Sequence, residues 1–227
     1  ADLATAQWAC CLGELSFLRG VALVRSGRLA QACRPLEEAE RLFRAVLAAG
    51  PSPEQEQDLN RRLGGLHVQL IHAVLPQDAA VAARESDEAV ALAPTNPDVW
   101  STRVCALMQQ GRWHEAAQAA VRLAGLQPAP AYGICPSVLA LLYDGEVETY
   151  RDRCRRLEPE LLRQGSAKVD WTRLSLLCLA PGGISDAPAI LALAAEKAGR
   201  EPEDPSRRHV QGAVLCRAGR WDEALAV

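Results

Sequence analysis

Apolar and small residues recur at fixed offsets from four glycines along this chain. Gly27-Arg28-Leu29-Ala30-Gln31-Ala32 matches Gly111-Arg112-Trp113-His114-Glu115-Ala116 and Gly219-Arg220-Trp221-Asp222-Glu223-Ala224, and Gly145-Glu146-Val147-Glu148-Thr149-Tyr150 is a weaker copy. Four residues before each glycine stands Leu23, Leu107, Leu141 or Leu215; seven before stands Gly20, Val104, Val138 or Gly212. Twelve after Gly27, Gly111 and Gly145 come Ala39, Leu123 and Leu157. A leucine and a small residue three positions before it share one face of a helix. The glycine ends that helix, because a helix C-terminus takes up a left-handed residue that glycine adopts at least cost. The bulky residue two later and the alanine five later open a second helix, and proline separates one pair from the next.

This register predicts an all-α chain of about six helical hairpins in one repeat domain spanning 1–227. The hairpins fall at about 5–49, 58–95, 97–129, 131–166, 169–201 and 205–227. The first has unusually long helices and is followed by a Pro/Glu/Gln-rich connection at 50–57. In the fifth, Pro181-Gly182-Gly183 and Pro188 shorten the first helix and lengthen the turn. The sixth stops inside its second helix at Val227, and the chain lacks an initiator Met, so it reads as a piece of a longer protein.

The spacing from Gly111 to Gly145, and from Pro94 to Pro128, is 34 residues. Taking Pro97 as the first position of a unit, Trp100, Ala116 and Pro128 resemble the Trp, Ala and Pro sites of the tetratricopeptide repeat (TPR) family. Gly212, Leu215, Gly219 and Ala224 fit the same pattern, as do Ala82, Ala89 and Pro94. The stretch from Tyr132 to Leu225 is similar to repeat arrays of planctomycete-type bacterial proteins, which often follow a serine/threonine kinase domain.

The TPR resemblance implies an α-solenoid wound as a right-handed superhelix, with the first helix of each hairpin on its inner wall. It further implies a protein or peptide partner, and a role either as an interaction scaffold or as a regulatory segment of a larger signalling enzyme such as a kinase. On that reading the groove candidates are Phe17, Val21, Arg25, His67, Ile71, Ser101, Met108, Gln109, Tyr132 and Tyr143. This wall is more apolar than the Lys/Asn/Arg clamps of family members that bind acidic C-termini. Two readings stay open: a groove for an amphipathic or apolar peptide, or a tight winding in which these residues are core.

Composition narrows the chemistry. The chain is 49% hydrophobic and 23% charged, as for an ordered protein. With 25 Lys and Arg against 28 Asp and Glu, no basic stripe offers phosphate neutralisation, so no nucleic-acid partner is expected. Glu14, Arg19 and Arg25 interrupt the apolar N-terminal stretch, so no membrane span is expected. None of the eight cysteines forms a C-x-x-C pair, and their neighbours are apolar; they read as reduced core thiols of a cytoplasmic protein.

No phosphate loop, dinucleotide fingerprint or nucleophile elbow occurs, so neither enzyme activity nor a cofactor is expected. His114-Glu115-Ala116-Ala117-Gln118 lacks the second histidine of the H-E-x-x-H zinc motif, and His67 and His72 are five apart, off a shared helix face. No metal site is therefore expected. Trp100, Trp113 and Trp221 sit at repeat positions and read as packing residues, whereas Trp8 and Trp171 begin helices and read as partly exposed.

Overall fold

The computed structural model describes residues 3–126, 131–201 and 203–226, without the side chains of 3–6 and 131–135. Among these residues there are twelve helices and no strand. They are α1 (Leu3–Arg25), α2 (Leu29–Ala48), α3 (Pro53–Val74), α4 (Ala79–Leu92), α5 (Pro97–Gln109), α6 (Trp113–Gly125), α7 (Ala131–Tyr143), α8 (Val147–Gln164), α9 (Trp171–Leu176), α10 (Ala187–Arg200), α11 (Ser206–Arg217) and α12 (Trp221–Leu225). No described helix is long and apolar enough to cross a membrane. The chain divides into two compact units, Ala1–Ala140 and Leu141–Val227.

The four repeated glycines close their helices in the same way. Gly27, Gly111, Gly145 and Gly219 have φ of 73°, 71°, 82° and 74°. In each case the next residue's N–H reaches back to the leucine carbonyl four before the glycine. The bonds are Arg28 to Leu23 (2.9 Å), Arg112 to Leu107 (3.0 Å), Glu146 to Leu141 (2.8 Å) and Arg220 to Leu215 (2.9 Å). The glycine's own N–H bonds the next carbonyl along: Val24, Met108, Leu142 or Cys216. This is the Schellman arrangement, which satisfies carbonyls the helix end would otherwise leave unpaired. The spacing of Leu and Gly in the sequence is thus the spacing of acceptor and left-handed residue.

In the first unit, α1 pairs with α2, α3 with α4 and α5 with α6, while α1, α3 and α5 also pack in succession. Small residues set the approach. A Cβ at Gly64 would stand 2.6 Å from Ala93 Cβ, and one at Gly20 would overlap the Leu36 side chain. Leu36, Phe43, Leu63 and Leu66 are at most 1% exposed in the resulting core.

The helices differ from the sequence reading in where α3 starts and in carrying internal prolines. Helix α3 begins at Pro53, inside the expected 50–57 connection. Ser52 Oγ accepts the Gln55 N–H and Gln55 Oε1 accepts the Ser52 N–H, a capping box with proline at the first helical position and Glu54 and Glu56 in the first turn. Proline also sits inside α2 (Pro35), α7 (Pro136) and α8 (Pro159). A proline in a helix interior costs about 3 kcal/mol, and in α2 the burial of neighbouring Ala32, Leu36, Ala39 and Phe43 offsets it.

The second unit is organised by polar contacts around the segment between α9 and α10. The buried Tyr150 hydroxyl donates to the Leu176 carbonyl (2.9 Å) and accepts from Ala180 N–H (3.2 Å). The Glu158 carboxylate, 3% exposed, accepts the N–H groups of Ser185 (2.9 Å) and Asp186 (2.7 Å). Arg151 donates to the Pro181 carbonyl at 3.0 Å and Arg217 to that of Cys178 at 2.8 Å. A stretch that makes no helix thus has its backbone groups satisfied by side chains of α8 and α11. Trp171, expected partly exposed, is buried, with the Lys197 ammonium 5.2 Å from its ring centroid. Trp221, expected as a packing residue, is 60% exposed, because the five-residue α12 buries no side chain.

Three outcomes follow from these contacts. Nothing lies within 4 Å of a Cβ at Gly111, so Gly111→Val isolates the cost of positive φ; it should lower stability by about 1–2 kcal/mol or more in urea unfolding, with Gly111→Ala costing less. Tyr150→Phe should cost about 1–3 kcal/mol, since the Leu176 carbonyl and the Ala180 N–H lose their buried partner. Burial pushes the thiols of Cys154 and Cys178 up to about 11. A thiol reagent at neutral pH should therefore label exposed Cys11 in the native protein, and Cys154 and Cys178 only after unfolding, as read by mass spectrometry.

Candidate functional site

Helix α1 is apolar on more than one side. Gly13, Phe17, Gly20 and Val24 face α2 and the core of the first hairpins. Glu14, one of its three charged residues, is engaged in an ion pair with Arg62 of α3. Away from the core, Trp8, Leu12, Leu15 and Leu18 are 71%, 51%, 65% and 60% exposed. Their spacing of four, three and three residues places them on one side of the helix, with exposed Cys11 and Ala22 and the charged Arg19 among them. A helix apolar all round is ordinarily buried all round, and a contiguous row of large apolar side chains in water marks a surface built to be covered.

The structure separates the groove candidates into three groups. His67, Ile71 and Ser101 are at most 1% exposed and belong to the interior of the first unit. Ile71 packs between Ala82 of α4 and Ala106 of α5. Phe17, Val21 and Met108 are half-buried, and Phe17 lies against the core of the first hairpins. Arg25, Gln109 and Tyr143 are exposed, Tyr143 as the last residue of α7 ahead of the Asp144-Gly145 turn. Tyr132 lies outside the described side chains.

Trp8, Leu12, Leu15 and Leu18 were not among the sequence candidates. The signal was present in the chain: α1 carries apolar residues at more positions than one buried stripe needs.

A second cluster surrounds the His67 imidazole. His67 stands in the middle of α3, among leucines that drive the helix into the core. Its Nδ1 is 2.8 Å from Glu85 Oε2 of α4. A carboxylate accepts only, so Nδ1 carries the proton in this pair. Nε2 is buried without a hydrogen-bond partner, 3.9 Å from Glu40 Oε1 of α2 and 3.7 Å from Glu88 Oε2 of α4. Arg44 of α2 joins those same two oxygens, through Nε to Glu40 and Nη2 to Glu88, each at 2.7 Å. The Glu40 hydrogen bond, with the charges of Glu40 and Glu88, holds the guanidinium proton more firmly than usual against the opposing effect of partial burial. Three carboxylates thus surround one imidazole and one guanidinium.

The sequence showed only fragments of this cluster, because its members stand on three different helices. The fragments were the one-turn spacings Glu40–Arg44 and Glu85–Glu88.

No protein-family model matches the chain, and no curated protein sequence matches it.

Proposed function

We propose that this chain is a tetratricopeptide-like helical-repeat module that recognises another polypeptide. The observation that carries the reading is the row Trp8, Leu12, Leu15 and Leu18, exposed along a helix whose opposite side is already packed. Such a face takes the apolar side of an amphipathic helix, with anchors at one-turn spacing. The repeated hairpin turn supports the TPR-like assignment: the same acceptor leucine, the same left-handed glycine and the same following backbone recur four times. The succession of α1, α3 and α5 supports reading the hairpins as successive units of an α-solenoid. Burial of His67, Ile71 and Ser101 moves recognition away from the inner-wall positions of α3 and α5 and onto exposed side chains.

The test begins with a photo-crosslinking residue at position 15 in the native host, to capture the polypeptide that covers α1. Paired binding and urea-unfolding curves then follow. Leu15→Asp should weaken the captured partner by more than about tenfold and leave stability within about 0.5 kcal/mol, as for an exposed site. Tyr143→Ala, at an exposed side chain of the second unit, should leave stability within about 0.5 kcal/mol. Loss of stability with unchanged affinity per folded molecule would assign these side chains to the fold and refute the reading.

A further inference from the structure

We propose that His67, Glu40 and Glu88 form a binding site for a divalent transition-metal ion of the zinc class. Five observations carry it, and none depends on the polypeptide-recognition reading. First, Nε2, Glu40 Oε1 and Glu88 Oε2 all lie within 4.8 Å of one another, with the two imidazole–carboxylate separations at 3.9 and 3.7 Å. A cation seated among them stands roughly 2.2–2.5 Å from each, so small side-chain shifts reach Zn–N and Zn–O bond lengths.

Second, the imidazole side chain is 1% exposed and its Nε2 has no hydrogen-bond partner. A buried polar atom left unpaired is costly, and here it is aimed at two carboxylate oxygens. A neutral imidazole presents a lone pair to those oxygens, an arrangement that is repulsive unless a cation lies between.

Third, Glu85 holds Nδ1–H at 2.8 Å. That is the carboxylate–histidine geometry that fixes the tautomer and raises the basicity of the ligating nitrogen. Fourth, with the imidazole neutral, the three carboxylates of Glu40, Glu85 and Glu88 outnumber the single guanidinium of Arg44, and this excess of negative charge favours a divalent cation over a monovalent one. Fifth, Arg44 takes the same two oxygens and its side chain is 47% exposed, so it can swing into solvent as the metal enters. Three protein ligands leave a further coordination position for water. The metal would join α2 to α3 and α4, tying the first hairpin to the second.

No bond to carbon forms or breaks. The metal replaces Arg44 at the two carboxylates and takes the Nε2 lone pair; if Nε2 carries a proton beforehand, that proton is released to solvent.

The test uses the purified chain with Co²⁺ as a spectroscopic probe and Zn²⁺ in calorimetry, under reducing conditions. The expected result is uptake of one ion per chain, with visible ligand-field bands and no thiolate-to-cobalt charge-transfer band. Glu88→Gln changes a side chain that is 58% exposed and so preserves the fold, as circular dichroism would check. It should weaken binding by tenfold or more. Glu85→Ala should weaken it by about 10–100-fold through loss of the orienting contact. Arg44→Gln, which removes the competing cation, should tighten it. Absence of uptake by the unaltered chain would overturn the proposal. A thiolate band, or equal affinity in Glu88→Gln, would overturn it in favour of the cysteines or an unspecific site.

Discussion

The fold rests on one backbone interaction repeated four times: the N–H of the residue after a left-handed glycine bonding a leucine carbonyl in the last turn of the preceding helix. A helix end leaves its last carbonyls unpaired, and this turn satisfies them while reversing the chain. Because the same leucine also points its side chain inward, the residue that accepts the turn's hydrogen bond helps seat the helix. Leu107 and Leu141 show the coupling, each at most 1% exposed. The turn therefore fixes at once where a helix stops, where the next begins and which faces meet.

Beyond the turns, the two units use different means of packing. In the first, alanine and glycine permit close helix contact, as Gly20 does against Leu36 and Gly64 against Ala93. Dispersion and burial dominate there. In the second, a six-residue α9 leaves a long stretch of backbone without helical partners. Tyr150, Glu158, Arg151 and Arg217 supply the missing hydrogen bonds. A buried carboxylate such as Glu158 is tolerated because both oxygens accept backbone N–H groups, one each from Ser185 and Asp186.

The proposed functional features both depart from what packing alone requires. Helix α1 carries large apolar residues beyond those its own hairpin covers, and α3 carries a histidine where its neighbours are leucines. The first departure concerns surface and the second concerns charge. An apolar row lowers the cost of covering α1 with another apolar face. The His67 cluster concentrates three carboxylates around an imidazole nitrogen that has no partner of its own.

The helices and most of their ends were legible in the chain, because those are local matters. Apolar spacing, a left-handed glycine and a leucine four residues earlier all lie within one turn of chain. Even the early start of α3 was written there, in Ser52-Pro53-Glu54-Gln55. Tertiary structure alone decided which faces were buried. Trp171 went inside, with the Lys197 ammonium over its ring, and Trp221 stayed outside because α12 is too short to bury anything. His67 and Ile71 became interior, while Leu15 and Leu18 stayed in water. The cluster of Glu40, His67 and Glu88 was equally out of reach: periodicity relates residues on one helix, whereas proximity among three helices depends on how closely small residues let them approach.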